Sequence, residues 1–110
     1  MSGDMETLGP EWACVAQTDD LEDEEALGVQ VGETTVALYK VEGAFFATHG
    51  ICSHEFAHLA EGYLEGCEIE CPLHQARFDI RTGQAMCRPA TEPIQVYPVK
   101  VVGSDVYVKV

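Results

Sequence analysis

Four residues of this 110-residue chain are of the types and at the spacing that hold metals: Cys52 and His54 in Cys52-Ser53-His54, and Cys71 and His74 in Cys71-Pro72-Leu73-His74. Each box brings one thiolate and one imidazole within reach of a common centre. Sixteen residues separate His54 from Cys71, enough chain to fold back on itself. Two cysteines and two histidines suit either zinc or an iron–sulfur cluster. A single Cys-x-His is most often a chance pairing of a buried thiol with a surface imidazole. Two such boxes one loop apart, flanked by Gly50 and Pro72, are a different matter. Zinc fingers pair Cys with Cys and His with His, whereas each box here supplies one of each. That division suits a binuclear cluster with two thiolates on one iron and two imidazoles on the other. Zinc remains the rival.

The elements that must position these boxes read as short strands separated by turns. Trp12 to Ala16 is a first strand. Leu27 to Val31 alternates and turns at Gly32-Glu33 into Thr34 to Val41, and Glu42-Gly43 turns that strand into Ala44 to Thr48. Gln95 to Val102 and Val106 to Val110 close the chain around Gly103-Ser104, with Val106, Val108 and Val110 on one face and Tyr107 and Lys109 on the other. Close-spaced short strands with Gly-rich turns indicate an all-β fold, an antiparallel sandwich or small barrel. Two regions break the pattern. Asp19 to Glu25 packs six carboxylates around Leu21 and should be a solvated loop or helix start, or a docking patch for a basic partner. The stretch from Gly50 to Pro93 is too long for an idle loop and contains both boxes, so function is sought there.

Composition narrows the classes. With 19 acidic and 6 basic side chains the formal charge is −13, which disfavours nucleic acid and an anionic membrane as partners. It fits a soluble monomer that meets basic faces on other proteins. A hydrophobic fraction of 46% is enough for an ordered core in one domain spanning residues 1–110. No targeting segment or apolar run of membrane-spanning length is visible, so the expected compartment is the cytoplasm. The five cysteines, at positions 14, 52, 67, 71 and 87, are odd in number and lack a secretory context, which argues for a metal site over a disulfide framework.

The chain resembles the Rieske [2Fe–2S] proteins, and more narrowly the small Rieske ferredoxins of bacterial aromatic-ring-hydroxylating oxygenase systems. The resemblance is dense across both boxes, Ala57, Leu59, Gly62, Phe78, Asp79, Thr82 and Gly83, and continues through Pro89-Ala90 and Pro93. Gln75 departs from it, since the family commonly has Gly after the second histidine. The resemblance implies a Rieske domain with a cluster-binding region of loops at about 50–93. Cys52 and Cys71 would hold the inner iron, and His54 and His74 the outer one. Pro89 falls where the family has a loop covering the cluster. His58 is expected at the surface. Cys14, Cys67 and Cys87 match no ligand position and are expected to be buried or partly buried thiols.

Two histidines for two cysteines raise the potential relative to an all-thiolate centre. Relatives in cytochrome bc-type complexes carry an extra cysteine in each box, where this chain has Glu55 to Ala57 and Leu73. They also carry Ser and Tyr hydroxyl donors where this chain has Ala76 and Phe78. The expected potential is therefore at the low end of the Rieske range, about −150 mV. Such a carrier would take electrons from a flavin-containing NAD(P)H reductase and pass them to a terminal oxygenase, performing no oxygenation itself. Two other readings stay open: a small subunit of another redox enzyme such as nitrite reductase, and a zinc-stabilised binding module.

Overall fold

The computed structural model describes residues 11–51, 58–72, 76–87 and 93–110. β1 (Trp12–Gln17) runs into a 3-10 turn (Thr18–Asp20), followed by β2 (Glu25–Val31), β3 (Thr34–Val41) and β4 (Ala44–His49). A second 3-10 turn (Leu59–Glu61) leads to β5 (Tyr63–Glu65), β6 (Glu68–Glu70), β7 (Arg77–Asp79) and β8 (Ala85–Cys87). β9 (Val96–Tyr97), β10 (Val99–Val102) and β11 (Asp105–Lys109) complete the order. All pairings are antiparallel, in three sheets: β1-β11-β10, β2-β3-β4-β9 and β5-β6-β7-β8. The all-β expectation holds.

The middle sheet organises the rest through β3. Its run Val36-Ala37-Leu38-Tyr39 is apolar without alternation, as a strand covered on both faces requires, and all four residues are fully buried. Since successive side chains point to opposite faces, Val36 and Leu38 join one core with Ala16, Ala47, Val106 and Val108. Ala37, Tyr39 and Val41 join a second with Leu59, Ile69, Phe78 and Ile80. The first sheet therefore covers one face of the middle sheet and the third sheet covers the other. Two polar groups sit inside the second face: the Tyr39 hydroxyl is 2.9 Å from Thr48 Oγ1, which donates to the His49 carbonyl at 3.0 Å. Thr48's single proton goes to His49, so Tyr39 is the donor to Thr48. Burial holds the Tyr39 phenol well above its ordinary pKa.

Three features differ from the sequence expectation. Gln95 to Val102 is not one strand: it breaks at Pro98, with β9 pairing to β4 in the middle sheet and β10 to β11 in the first. Proline lacks the N–H that a continuous ladder needs, and the chain changes sheets there. Tyr107 is buried together with Val106 and Val108, because β11 is the central strand of its sheet, while Val110 at its end is exposed. Finally, 50–93 is more than loops, since it contains the whole third sheet. Its strands are three residues each and carry too few alternations to register as a period.

The acidic run is solvated, as expected, but is structured by its own carboxylates. Asp20 accepts the Gln17 N–H at 2.9 Å and Glu25 accepts the Glu22 N–H at 2.9 Å. Leu21, 2% exposed, plugs the first core from within the run.

Candidate metal centre

The register of the third sheet decides where the boxes attach. Tyr63 pairs with Glu70, Glu70 with Arg77, and Arg77 with Cys87, so these four form one row across all four strands. The 72–75 connection leaves and re-enters beside that row, and the chain after Cys87 leaves from the same end. β5 also begins there, directly after the turn that follows the first box. The second box and the start of the Pro89 segment are thus rooted at one end of the third sheet, and the first box at the adjoining end of the middle sheet, joined to it through the Leu59–Glu61 turn that leads into β5.

Each root is fastened by backbone hydrogen bonds. For the first box, Ile51 bridges to His58, and the Leu59 N–H donates to the Gly50 carbonyl at 2.8 Å. The Gly50 and His49 N–H groups donate in turn to Thr35 and Gln95, both at 2.8 Å, tying that root to the middle sheet. For the second box, the Cys71 N–H donates to the Ala76 carbonyl at 2.7 Å, closing the connection at its base. For the Pro89 segment, the Ile94 N–H donates to the Gly83 carbonyl at 2.8 Å. Two glycines permit these closures. A Cβ on Gly62 would lie 1.9 Å from the Glu70 carbonyl oxygen, and one on Gly83, whose φ is +83°, would lie 2.0 Å from that of Ile94. The sequence singles out both glycines but not their purpose, which is an approach of two backbones that no sequence pattern encodes.

Of the four expected ligands, Cys71 is among the described residues; Cys52, His54 and His74 lie outside them, as do Gln75 and Pro89. Cys71 is 1% exposed, at the end of β6 in the core shared with Leu59, Ile69, Ala76 and Phe78. Cys14, Cys67 and Cys71 form no disulfide. A buried thiol at the root of a Cys-Pro-x-His connection fits a thiolate–metal bond shielded from water on the protein side. The donor set therefore fits an iron–sulfur cluster. Ala76 and Phe78 are both fully buried and offer no side-chain hydroxyl.

The remaining candidates sort by exposure. His58 is exposed, as expected, and Cys67 is half-buried against the second core. Cys14 is a correction: it is exposed, not buried, because β1 is an edge strand with an irregularity between Cys14 and Ala16. His49 is half-buried with Nδ1 3.5 Å from the Tyr97 hydroxyl. On the outer face of the third sheet, Arg77 reaches Glu65, Glu68 and Glu70 at 3.4, 3.5 and 3.0 Å, and the Glu70 hydrogen bond chiefly raises its pKa. Arg81 holds Asp79 at 3.0 Å, and its hydrogen bond is the main cause lowering the Asp79 pKa below the ordinary 3.8. Among the described residues no helix is long and apolar enough to cross a membrane.

Known proteins are similar to this chain in sequence and fold. Residues 11–98 match the Rieske [2Fe-2S] domain. The ferredoxin component of naphthalene 1,2-dioxygenase/salicylate 5-hydroxylase systems from a Ralstonia species is 47% identical over 98 residues, covering 89% of this chain and 94% of that protein. The anthranilate 1,2-dioxygenase ferredoxin subunit of Burkholderia cepacia is 41% identical over 100 residues, covering 91% of this chain and 93% of that one. Among solved structures, a chain in the complex of reduced oxygenase and oxidized ferredoxin of carbazole 1,9a-dioxygenase superposes with a TM-score of 0.87 at 36% identity, over 92% of this chain and 94% of that one. A match that runs from the first strand through both boxes to Pro98, shared with proteins this similar along nearly their full lengths, places the chain in the Rieske [2Fe-2S] domain family.

Proposed function

We propose that this protein is the electron-carrying ferredoxin of a multicomponent aromatic-ring-hydroxylating oxygenase system, taking electrons from a flavin-containing NAD(P)H reductase and delivering them to the terminal oxygenase. The observation that carries the reading is the Cys71 thiol, buried at the root of the second Cys–His box in a core shared with Leu59, the residue that closes the root of the first. The near full-length similarity to ferredoxin components of dioxygenase systems supports it. The chain is a carrier and not the oxygenase; its other two histidines, His49 and His58, lack the pattern of an oxygenase iron site.

In this reading Cys52 and Cys71 ligate one iron and His54 and His74 the other. When bound, a [2Fe–2S] cluster takes up and releases one electron at a time. The chain's own residues set the terms of that exchange. Cys71 is sealed from water by Leu59, Ile69 and Phe78, which lowers the local dielectric around a thiolate. The clamps at Gly50–Leu59 and Cys71–Ala76 fix the roots of the two boxes. With Ala76 and Phe78 at the positions where high-potential relatives have hydroxyl donors, extra negative charge on reduction receives no side-chain hydrogen bond from them. The expected midpoint potential is about −150 mV. A monomer confined to the cytoplasm completes the proposal, its acidic surface favouring fast, transient encounters.

Anaerobic expression with iron and sulfide assays, followed by reduction with NADH and the reductase of a naphthalene dioxygenase system, tests this directly. Two irons and two labile sulfides per chain, a red-brown colour and NADH-dependent bleaching are expected. A colourless zinc protein, or a midpoint above zero, overturns the assignment.

A further inference from the structure

We propose that the outer face of the third sheet, centred on Tyr63, is the docking surface for the terminal oxygenase, and that the acidic run at Asp19–Glu25 is not. The inference rests on the ferredoxin reading above and adds to it the surface that the partner covers.

The placement follows from the pairing. Leu64, Ile69 and Phe78 point inward to the second core. By alternation, Tyr63, Glu70 and Arg77, which lie opposite one another in a single row, point outward, with Glu65 and Glu68 two residues along on the same side. Tyr63 is the most exposed of the large hydrophobic side chains described, at 67%. It sits in the row from which the Cys71 connection departs. Met86, also exposed at 45%, is on β8 at the opposite edge of the sheet and does not extend the patch around Tyr63. An aromatic left in water at the root of the metal loops has no structural return, since the sheet buries its inner face without it.

The chemistry around Tyr63 says what covers it. Three carboxylates, Glu65, Glu68 and Glu70, converge on one guanidinium, Arg77, so the patch carries a net charge of −2. An apolar anchor rimmed by acidic groups suits a partner face with an apolar socket rimmed by Lys or Arg. The solved structure matched above, a ferredoxin in complex with its oxygenase, is the kind of partner to which this commits.

The acidic run is placed wrongly for electron delivery. Glu25 pairs with Lys40, and Lys40 with Phe45, whereas Val36 pairs with His49, the residue leading to the first box. The run is therefore at the opposite end of the middle sheet, with roughly 13 Å of strand between it and the first root alone. A partner seated on it would face away from the boxes.

Stopped-flow oxidation of the reduced holoprotein by the terminal oxygenase of a naphthalene dioxygenase system tests the surface. Tyr63→Ala should raise the half-saturating oxygenase concentration about 30-fold or more, the threshold of an anchor residue. Its visible spectrum, midpoint potential and saturated transfer rate should be unchanged, and Tyr63→Phe should recover most of the loss. Glu65→Lys should slow association at low salt more than the same reversal at Asp23. Val101→Ala, an exposed apolar position on the first sheet, should have no effect. The surface assignment is overturned if Tyr63→Ala binds as the wild type does, or if its defect lies in the potential. Asp23→Lys causing the larger loss would move docking to the acidic run. Failure of the wild-type protein to reduce the oxygenase would instead overturn the ferredoxin reading itself.

Discussion

The first and middle sheets and the third sheet solve the same packing problem with very different means. β3 is eight residues long and buried on both faces, so its apolar side chains are shared between two cores. The third sheet has strands of three residues and a single inner row of Leu64, Ile69 and Phe78. Its outer face is held by ion pairs, which contribute little at a solvated surface. What it has instead is backbone clamps, two glycine contacts and a buried cysteine at the root of a loop. The sandwich is thus stable by burial, and the third sheet depends more on closure and, in the proposed reading, on a cluster held by Cys71. Metal sites couple to folding in this way.

Removing the ligand should separate the two regions most widely. Cys71→Ser is expected to abolish the red-brown colour. Amide exchange at Leu64, Ile69 and Phe78 should become fast while Val36, Leu38 and Val108 stay protected. A variant with full cluster absorbance would falsify the assignment of Cys71 as a ligand. Core truncations come next. Leu38→Ala and Phe78→Ala should cost about 2–5 kcal/mol each in chemical denaturation. The comparison predicts that Phe78→Ala also sheds iron below its melting temperature, whereas Leu38→Ala keeps it until global unfolding; equal iron loss from both would erase the distinction. Gly62→Ala introduces a methyl against the Glu70 carbonyl and should cost about 1–3 kcal/mol, read as a lower denaturant midpoint of the holoprotein. If its midpoint equals that of the wild type, the close approach is not limiting.

The smallest effect concerns pH. Arg81 lowers the Asp79 pKa in the folded state, so the pair stabilises the protein above the ordinary value of 3.8 and that contribution is lost as pH falls through the folded pKa. Asp79→Asn should therefore narrow the gap in thermal stability between pH 6 and pH 3 relative to wild type, beginning with third-sheet probes. An unchanged gap would mean the pair is spent on exposed solvent.

How much of this was legible beforehand depended on pattern length. Thr34 to Val41 is read correctly residue for residue, because eight residues of strand between two turn signals leave little freedom. The boxes are legible because Cys and His at those spacings are rare without a metal. The third sheet was not, since three-residue strands such as Glu68-Ile69-Glu70 fall below the span at which alternation becomes distinguishable. Pro98 was visible as a residue, but that it marks a change of sheet is a fact about partners distant in sequence. Cys14 looked like any small apolar residue; only its place on an edge strand exposes it.

By itself, then, the sequence determined the all-β class, the donor types, the acidic charge and the family resemblance, since each depends on residue identity over short spans. The tertiary structure decided that the roots of the two boxes share a core through Leu59 and Cys71 although they leave from different sheets, that Gly62 and Gly83 are there to let backbones touch, and that the acidic run is at the opposite end of the middle sheet from the first root. These depend on register, and register is set by cores assembled from strands far apart in the chain.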